Sequence, residues 1–439
     1  MNQQAPAINK KNIFYWALYG FGKDIVIVAF ALYFSQWLVV ENHVSDLWYN
    51  LIFVGASVLL LCGAPVLALI ADKRGRSMPY LRFMATALFI VTLASGLFAV
   101  FNNGHRGFVV ASAICFLFSE YFYQFSLIFH NGFLDKISPR QDQGRVSGVG
   151  YTANWLGQIA GIFVTLPIIG GAFYLFGEPG RPQTFIPTTV LFYLLALPML
   201  FLFKEPVTAV AAQAAKINYK EEFGHAVAAF KHLVAQPGVG RFLLAFFFYN
   251  DAVLTIENNF AIYLQQVFHV SDQQKSLLLL GVLVTTALGS LASGWVGDKF
   301  GLKKTLMWIL VALVLILPLM GLVGSYQIFA IMAICLGIFY GSSLAVARAV
   351  LAYLAPKNEI NHTFSYYSII ERFATFIGPV SWGLTLVILN RYAIWNYKIA
   401  VLVMGLFILI GTIIASKIPD DRAQAQGETA AAEPQPNIS

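Results

Sequence analysis

Eight charged side chains lie inside stretches of this sequence that are otherwise apolar: Lys23, Asp24, Glu120, Asp251, Glu257, Arg348, Glu371 and Arg372. A charge near the centre of a bilayer costs about 2.5–3.5 kcal/mol on insertion scales, so charges in such stretches usually face each other or a hydrated cavity. A carboxylate held there can take up a proton on one side of a membrane and release it on the other. A cavity with charges of both signs also suits a zwitterion.

Polar residues accompany these charges at helical spacing. Gln124 follows Glu120 by one turn, and Thr255 and Asn258 follow Asp251 on one helix face. We therefore predict a set of solute-binding and coupling residues: Lys23, Asp24, Glu120, Gln124, Asp251, Thr255, Asn258, Tyr340 and Tyr367.

Structural interpretations stand beside these functional ones. Lys23 and Asp24 can pair in a purely structural way with the seventh or eleventh apolar run, and Glu257 can simply reach water. His130 fits a satisfied histidine near a membrane interface. Gly157 and Gly161 have the GxxxG spacing that permits close helix approach, whether for rocking or for plain tight packing.

Composition indicates that lipid is the solvent for much of the chain. Of the 439 residues, 58% are hydrophobic and only 11% are charged, whereas soluble domains carry about 25% charged residues. The net charge of +7 comes from basic residues in short loops between apolar runs, which indicates topology signals and no nucleic-acid partner. The three cysteines lie in apolar runs and predict no disulfide framework.

Twelve apolar runs are long enough for transmembrane helices, since about 20 residues cross a bilayer. They cover residues 13–40, 50–71, 80–100, 107–133, 147–170, 187–203, 239–267, 275–297, 305–323, 327–354, 363–389 and 398–417. The first run is too long for a signal-peptide core, so we expect it to be retained. Most of the 28 Lys and Arg residues lie on the side of the termini, which predicts that both termini are cytoplasmic.

The longest loop divides the chain into two sets of six spans. We predict a bundle over 1–203, a cytoplasmic linker over 204–238 with an amphipathic helix, a second bundle over 239–418, and a disordered tail over 419–439.

A charged loop recurs at the same place in both halves. Asp72-Lys73 in the first half matches Asp298-Lys299 in the second, each pair is followed by a glycine, and basic residues come next. The aspartate would stand at a helix end, and the basic side chains could reach helix carbonyl groups or a facing carboxylate. Such a clasp can hold one conformation closed.

This pattern, G-x-x-x-D-[RK]-x-G-x-[RK]-[RK], resembles the signature loop of the major facilitator superfamily. The second copy fits fully, whereas the first has Ala68 and Ser77 at two of its positions. WALYGFGKD, GRVSGVGYTANWLGQ, YNDAVLTI and FSYYSIIERFATFIGP resemble the branch that includes vacuolar amino-acid effluxers of the autophagy pathway and bacterial relatives. The chain departs from that branch at Gly20, Lys23 and Asp24.

The resemblance implies an all-α polytopic fold in which two pseudo-symmetric six-helix bundles enclose one cavity. Spans 1, 4, 7 and 10 would line it, and six of the eight charges fall on these spans. The predicted gating residues are Asp72, Lys73, Arg76, Asp298, Lys299, Lys303, Arg348, Glu371 and Arg372.

These patterns predict a monomeric secondary active transporter for a small polar solute, an amino acid or a similar metabolite. Protons are the expected coupling ion, sodium is the alternative, and no cofactor is implied. The alternatives are a siderophore or drug exporter of the same fold and, in another class, a non-transporting receptor or scaffold. An enzyme is disfavoured because the sequence lacks HExxH, a nucleophile elbow and a Walker loop.

Overall fold

A computed structural model describes residues 9–73, 76–138, 143–173, 178–205, 224, 231, 234–235, 237–354, 367, 370–371 and 375–419. The described residues form helices and loops with no strand. The principal helices are α1 (Lys10–Ala29), α2 (Asp46–Lys73), α3 (Met78–Val100), α4 (Arg106–Gly132), α5 (Gln143–Ile169), α6 (Phe185–Leu197), α7 (Pro237–Phe268), α8 (Asp272–Phe300), α9 (Leu302–Leu322), α10 (Tyr326–Leu354), α11 (Ile377–Ile388) and α12 (Ile394–Ser416).

The predicted all-α membrane fold is confirmed. Within the described residues, ten helices are long and apolar enough to cross a bilayer, and two shorter apolar segments, Asp46–Leu61 and Ile377–Ile388, stand at the second and eleventh predicted spans. Most of the predicted linker helix, the tail beyond residue 419 and the start of the eleventh span lie outside the described part of the chain.

The first helix is longer than α1 alone, because two π-helical turns extend it. These turns, Phe30–Phe34 and Trp37–Glu41, bring the continuous helical segment to 32 residues. Asn9 caps its start, where the side-chain oxygen accepts hydrogen bonds from the next helical N–H groups. The π turns lie in the half of the helix that follows Lys23 and Asp24.

The chain forms two compact units. Unit 1 contains 1–226, 255–283 and 375–400, and unit 2 contains 227–254, 284–374 and 401–439. Each unit therefore draws on segments from far apart in the sequence. The predicted division into bundles over 1–203 and 239–418 stays a prediction.

Glycines let α5 lie directly against α1 in unit 1. A Cβ atom at Gly157 would lie 2.2 Å from the backbone oxygen of Phe21, and one at Gly161 would lie 2.9 Å from that of Ile25. Gly150 makes room in the same way for the Trp16 ring. Backbone thus packs on backbone along this interface, and the predicted close approach is present.

The rest of unit 1 packs around aromatic rings and paired hydroxyls. Phe30 and Phe34 from helix 1 pack on Phe116 of α4, with ring centroids 5.4 and 4.3 Å away. Ser95 on α3 and Ser112 on α4 donate hydrogen bonds to each other's backbone oxygens. These contacts fix α1, α3 and α4 against one another.

Unit 2 uses the same device where α8 meets α10. Cβ atoms at Gly289 and Gly341 would lie 2.1 and 1.9 Å from backbone oxygens of the facing helix. The Ser342 hydroxyl donates to the Gly289 carbonyl at 2.9 Å, which adds a direct hydrogen bond to the crossing. The structure thus has a close glycine-mediated crossing in each unit.

Candidate functional site

The pair Lys23–Asp24 lies buried on α1 in unit 1. Each side chain is 4% exposed, and the lysine Nζ lies 3.0 Å from both carboxylate oxygens of the aspartate. An isolated ion would be very costly in such surroundings, whereas a neutral pair is tolerated. The structure therefore pairs the two charges with each other, a contact that the sequence analysis did not predict.

Helix α4, which also belongs to unit 1, carries the predicted residues Glu120 and Gln124. The Tyr123 ring centroid lies 5.6 Å from Lys23 Nζ, within cation–π range. Gln124, the next residue, is 6% exposed, and its Oε1 accepts no hydrogen bond from the residues that the structure describes. Glu120 is half-buried one turn earlier. A buried amide oxygen without a protein donor is a ready acceptor for a bound solute or water.

His130, near the end of α4, contacts residues near the start of α1. Its Nε2 contacts the Trp16 backbone oxygen at 2.9 Å, and the Trp16 indole donates to the His130 backbone oxygen at 2.8 Å. The imidazole also stacks on Trp16 and Tyr19, with centroids 5.0 and 4.8 Å apart. These contacts tie α4 to α1, while the buried Nδ1 of His130 makes no hydrogen bond with the described residues.

Helix α7 contributes to both units, and its predicted residues differ in burial. Asp251 and Thr255 are fully buried. Asn258 is half-buried, and its backbone oxygen accepts a hydrogen bond from Tyr49 at 2.9 Å. Glu257 is exposed, in keeping with the interpretation that it reaches water.

Asn259, one position after the predicted Asn258, carries a contact that the sequence did not reveal. Its buried amide exchanges hydrogen bonds with that of Asn50 on α2, at 2.9 and 3.0 Å. The reciprocal pairing ties α7 to α2 within unit 1.

Unit 2 contains the other predicted residues, Asp251, Tyr340 and Tyr367. Tyr367 is buried, and its ring centroid lies 4.5 Å from that of Phe246. Tyr340 is half-buried on α10. Tyr249 and Asn250, which precede Asp251 on α7, are also buried, and the tyrosine hydroxyl and the amide Nδ2 make no hydrogen bond with the described residues.

The predicted gating residues are only partly described. Arg348 Nη2 lies 3.9 Å from Glu371 Oε1 in unit 2, and both side chains are partly exposed. Gly301 has φ of 95° at the turn between α8 and α9, a conformation that favours glycine. Arg76, Lys299 and Lys303 are at least partly exposed, whereas Arg372 and the side chains of Asp72, Lys73 and Asp298 lie outside the described part of the structure.

Ser77 stands where the signature pattern has a basic residue. It makes hydrogen bonds with both members of an ion pair, Glu205 and Lys136. Glu205 accepts hydrogen bonds from the backbone N–H groups of Ser77 and Met78 at 2.7 and 3.0 Å, and so caps the start of α3. Lys136 lies 2.7 Å from Glu205 and donates to the Ser77 hydroxyl at 2.9 Å. A lysine from elsewhere in the chain thus provides a positive charge at this loop.

A second charged group, which the sequence did not single out, lies at the distal end of unit 1, where helix 1 ends and α2 begins. Arg181 contacts Glu41 at 2.6 Å and holds Asp272 through two hydrogen bonds of 2.8 and 3.1 Å. Lys275, whose side chain is 1% exposed, contacts Asp272 at 2.9 Å. In the predicted topology, Arg181 and Lys275 are two of the few basic residues on the side opposite the termini, and this rarity could have drawn attention to them.

Comparisons with known proteins agree with this architecture. A sequence model of the Major Facilitator Superfamily matches residues 242–438. The uncharacterized MFS-type transporter YxiO of Bacillus subtilis is 22% identical over 92% of this chain and 93% of that protein. Autophagy-related protein 22 of Saccharomyces cerevisiae is 26% identical over 35% of this chain, a match that covers 31% of the yeast protein.

Among solved structures, a mutant of the nucleoside transporter NupG has the same fold. Its TM-score is 0.70 at 13% sequence identity, over 93% of this chain and 99% of that one. The charged loop of the second half, the twelve apolar segments and the similarity over most of the chain to an MFS-type transporter agree with one another. The chain is an integral multi-pass membrane protein that is similar to transporters of the major facilitator superfamily.

Proposed function

We propose that this transporter moves a small polar solute, an amino acid or a similar metabolite, by alternating access and couples the movement to protons. The observation that carries the proposal is the buried pair of Lys23 and Asp24. A lysine beside the aspartate offers a partner for a carboxylate of the solute, and two charges buried to this extent would be costly without a use.

The pair can exchange partners without leaving a charge uncompensated. When Asp24 takes up a proton, Lys23 loses its counter-ion and becomes available to a carboxylate of the solute. When the proton leaves, Asp24 regains the lysine and competes with the solute for it. Binding of the proton and binding of an anionic group thereby favour each other, which is the linkage that coupled transport requires.

Other predicted residues of unit 1 would complete the site. Glu120 and Gln124 on α4 offer a second carboxylate and a buried amide oxygen, and Thr255 on α7 offers a hydroxyl. In unit 2, Asp251, Tyr340 and Tyr367 offer a carboxylate and two hydroxyls, for which we propose the same solute-binding and coupling role. Arg348 with Glu371 would act as a gate pair near the cytoplasmic ends of their helices, together with the charged loops.

The proposal includes the remaining sequence predictions. Both termini would lie in the cytoplasm of a bacterial cell, and the protein would work as a monomer in the inner membrane. Sodium is the alternative coupling ion. A siderophore or drug exporter and a non-transporting receptor are the alternatives that the experiment below must separate from a metabolite transporter.

The first test is a thermal-shift screen on the purified protein. Amino acids, nucleosides and other polar metabolites are added singly at two pH values, because a proton-coupled site binds its solute with an affinity that depends on pH. A ligand that stabilises the protein is then used for uptake into proteoliposomes with an imposed proton gradient. Stabilisation without uptake under any gradient would favour a receptor.

The site itself is tested with Asp24→Asn, which removes the titratable group and keeps the shape of the side chain. We expect this variant to lose proton-driven uptake while it still expresses. Glu178→Gln is the matched control, because Glu178 is exposed in a loop. Uptake by Asp24→Asn at the rate of the control would remove Asp24 from the mechanism.

A further inference from the structure

The distal charged group ties together four separate segments of unit 1. It consists of six residues, which we call the distal cluster: Gln36, Glu41, Arg181, Gln265, Asp272 and Lys275. Gln36 and Glu41 come from helix 1, Arg181 precedes α6, Gln265 lies on α7, and the last two residues begin α8. The first three residues belong to the first half of the sequence and the others to the second.

Lys275 is the centre of the distal cluster. Its Nζ donates to the side-chain oxygens of Gln36, Gln265 and Asp272, so its three N–H groups are matched by three acceptors. The Gln36 amide is itself fixed, since its Nε2 donates to the Leu32 backbone oxygen. A lysine with a side chain that is 1% exposed is thus fully coordinated without water.

The charges of the cluster balance only when it is assembled. Glu41 and Asp272 compensate Arg181 and Lys275, and the carboxylate of Asp272 contacts both cations. If the two sides separate partly, Lys275 loses acceptors while its side chain is still buried, and such a state is costly. The cluster is therefore stable either assembled or fully apart and hydrated, and packed interfaces of this kind switch between discrete states.

A contact between two hydroxyl groups lies next to the distal cluster and joins helix 1 to α8. Tyr33 in the first π turn lies 2.8 Å from Ser276 on α8, and both side chains are buried. Opening the distal end of unit 1 would break this contact together with those of Lys275.

We propose that the distal cluster, with Lys275 at its centre, is the latch that keeps the distal end of the transporter closed while the solute site is open to the other side. The inference rests on the alternating-access part of the proposed function. Separation of the two sequence halves at the distal end requires that Lys275 leave Gln36 and that Arg181 leave Asp272. The latch sets how often the distal end opens, and it needs no contact with the solute.

The test measures how quickly a buried cysteine reacts from each side of the membrane. In a background where Cys62, Cys115 and Cys335 are replaced by serine, Ser57→Cys is the reporter. Ser57 is 1% exposed on α2, and its hydroxyl lies 2.7 Å from that of Thr375, so it is hydrogen-bonded to a residue outside the distal cluster. A membrane-impermeant maleimide is added to oriented vesicles from one side or the other.

Lys275→Met removes the centre of the latch and should raise the rate of labelling from the distal side by about tenfold or more. Glu41→Gln weakens only the outer contact with Arg181 and should raise it by about two- to threefold, since that glutamate is 40% exposed. Arg391→Met is the matched control: it removes an exposed charge in the loop between α11 and α12, and it should leave the rate unchanged.

The rate of labelling from the distal side is expected to fall in the order Lys275→Met, Glu41→Gln, Arg391→Met. Equal labelling rates for Lys275→Met, Glu41→Gln and the control, or faster labelling only from the side of the termini, would overturn the latch. If Lys275→Met does not fold, Glu41→Gln against the control decides alone. The readout needs neither solute nor proton gradient, so it stands or falls separately from the Asp24→Asn uptake test.

Discussion

The buried pair of Lys23 and Asp24 makes a quantitative prediction that separates a functional pair from a structural one. Three variants are compared with the wild type: Lys23→Gln, Asp24→Asn and the double variant. Each single substitution keeps the approximate size of the side chain and leaves one buried charge without its partner. The double substitution removes both charges and leaves two neutral groups that can still form hydrogen bonds.

The structure sets the expected free energies of unfolding. Because both side chains are only 4% exposed, solvent screens the pair little. Removal of one partner from a buried ion pair costs about 3–5 kcal/mol, whereas replacement of both is often nearly neutral. Because each single effect is expected to be about 3–5 kcal/mol and the double effect near zero, the coupling free energy should exceed about 3 kcal/mol, the upper end of the usual range for residues in contact.

The assay has a stability arm and a transport arm. Unfolding of the four proteins is followed by tryptophan fluorescence in the same detergent, and the coupling is taken from the double-mutant cycle. The four proteins are then reconstituted, and uptake is measured with and without an imposed proton gradient. If the pair couples protons to the solute, the double variant is as stable as the wild type to within about 1–2 kcal/mol and does not respond to the gradient.

Two results would refute the reasoning, and they do so at different steps. Additive single effects, or single effects below about 1 kcal/mol, would show that the two charges are hydrated and not a buried pair. A stable double variant that still responds fully to the proton gradient would show that the pair is structural, and the coupling group would have to be sought among Glu120 and Asp251.

Two further predictions test the packing around the site by thermal unfolding. Gly157→Ala should destabilise the protein by about 1–3 kcal/mol, because its Cβ would lie 2.2 Å from the Phe21 backbone oxygen. A Cβ atom at Gly148 on the same helix would meet no atom within 4 Å, so Gly148→Ala should be neutral or slightly stabilising. Equal losses of stability in the two variants would contradict the close α1–α5 contact. Glu205→Gln should lower stability by about 1 kcal/mol, since it weakens the cap of α3 and removes the charge paired with Lys136. An unchanged unfolding temperature would show that these contacts of Glu205 do not stabilise the protein.

The sequence predicts the helices well because bilayer thickness and hydropathy determine them locally. The twelve apolar runs overlap the twelve principal helices, and the spacing of Gly157 and Gly161 indicates the close approach of α5 to a neighbour. The burial of Lys23 and Asp24 also follows from their position in a long apolar run.

Contacts between distant segments are beyond such local patterns. Lys275 stands at the start of α8, where a lysine normally faces water, and its burial depends on Gln36, which is 239 positions earlier. Likewise, Asn259 and Asn50 are 209 positions apart, so nothing nearby marks Asn259 as the asparagine that faces the interface. Only the packing of complete helices brings these partners together.

The two π turns in the first helix have a consequence for movement. Each π turn accommodates one residue more than an α turn, so the side chains beyond it are displaced by about 100° around the axis relative to an uninterrupted helix. If the first π turn relaxed to α-helical winding, Gln36 beyond it would swivel by roughly a quarter of a revolution, while Lys23 and Asp24 kept their orientation. The tip of the first helix can thereby rotate as a torsional element without any unwinding of the segment below it.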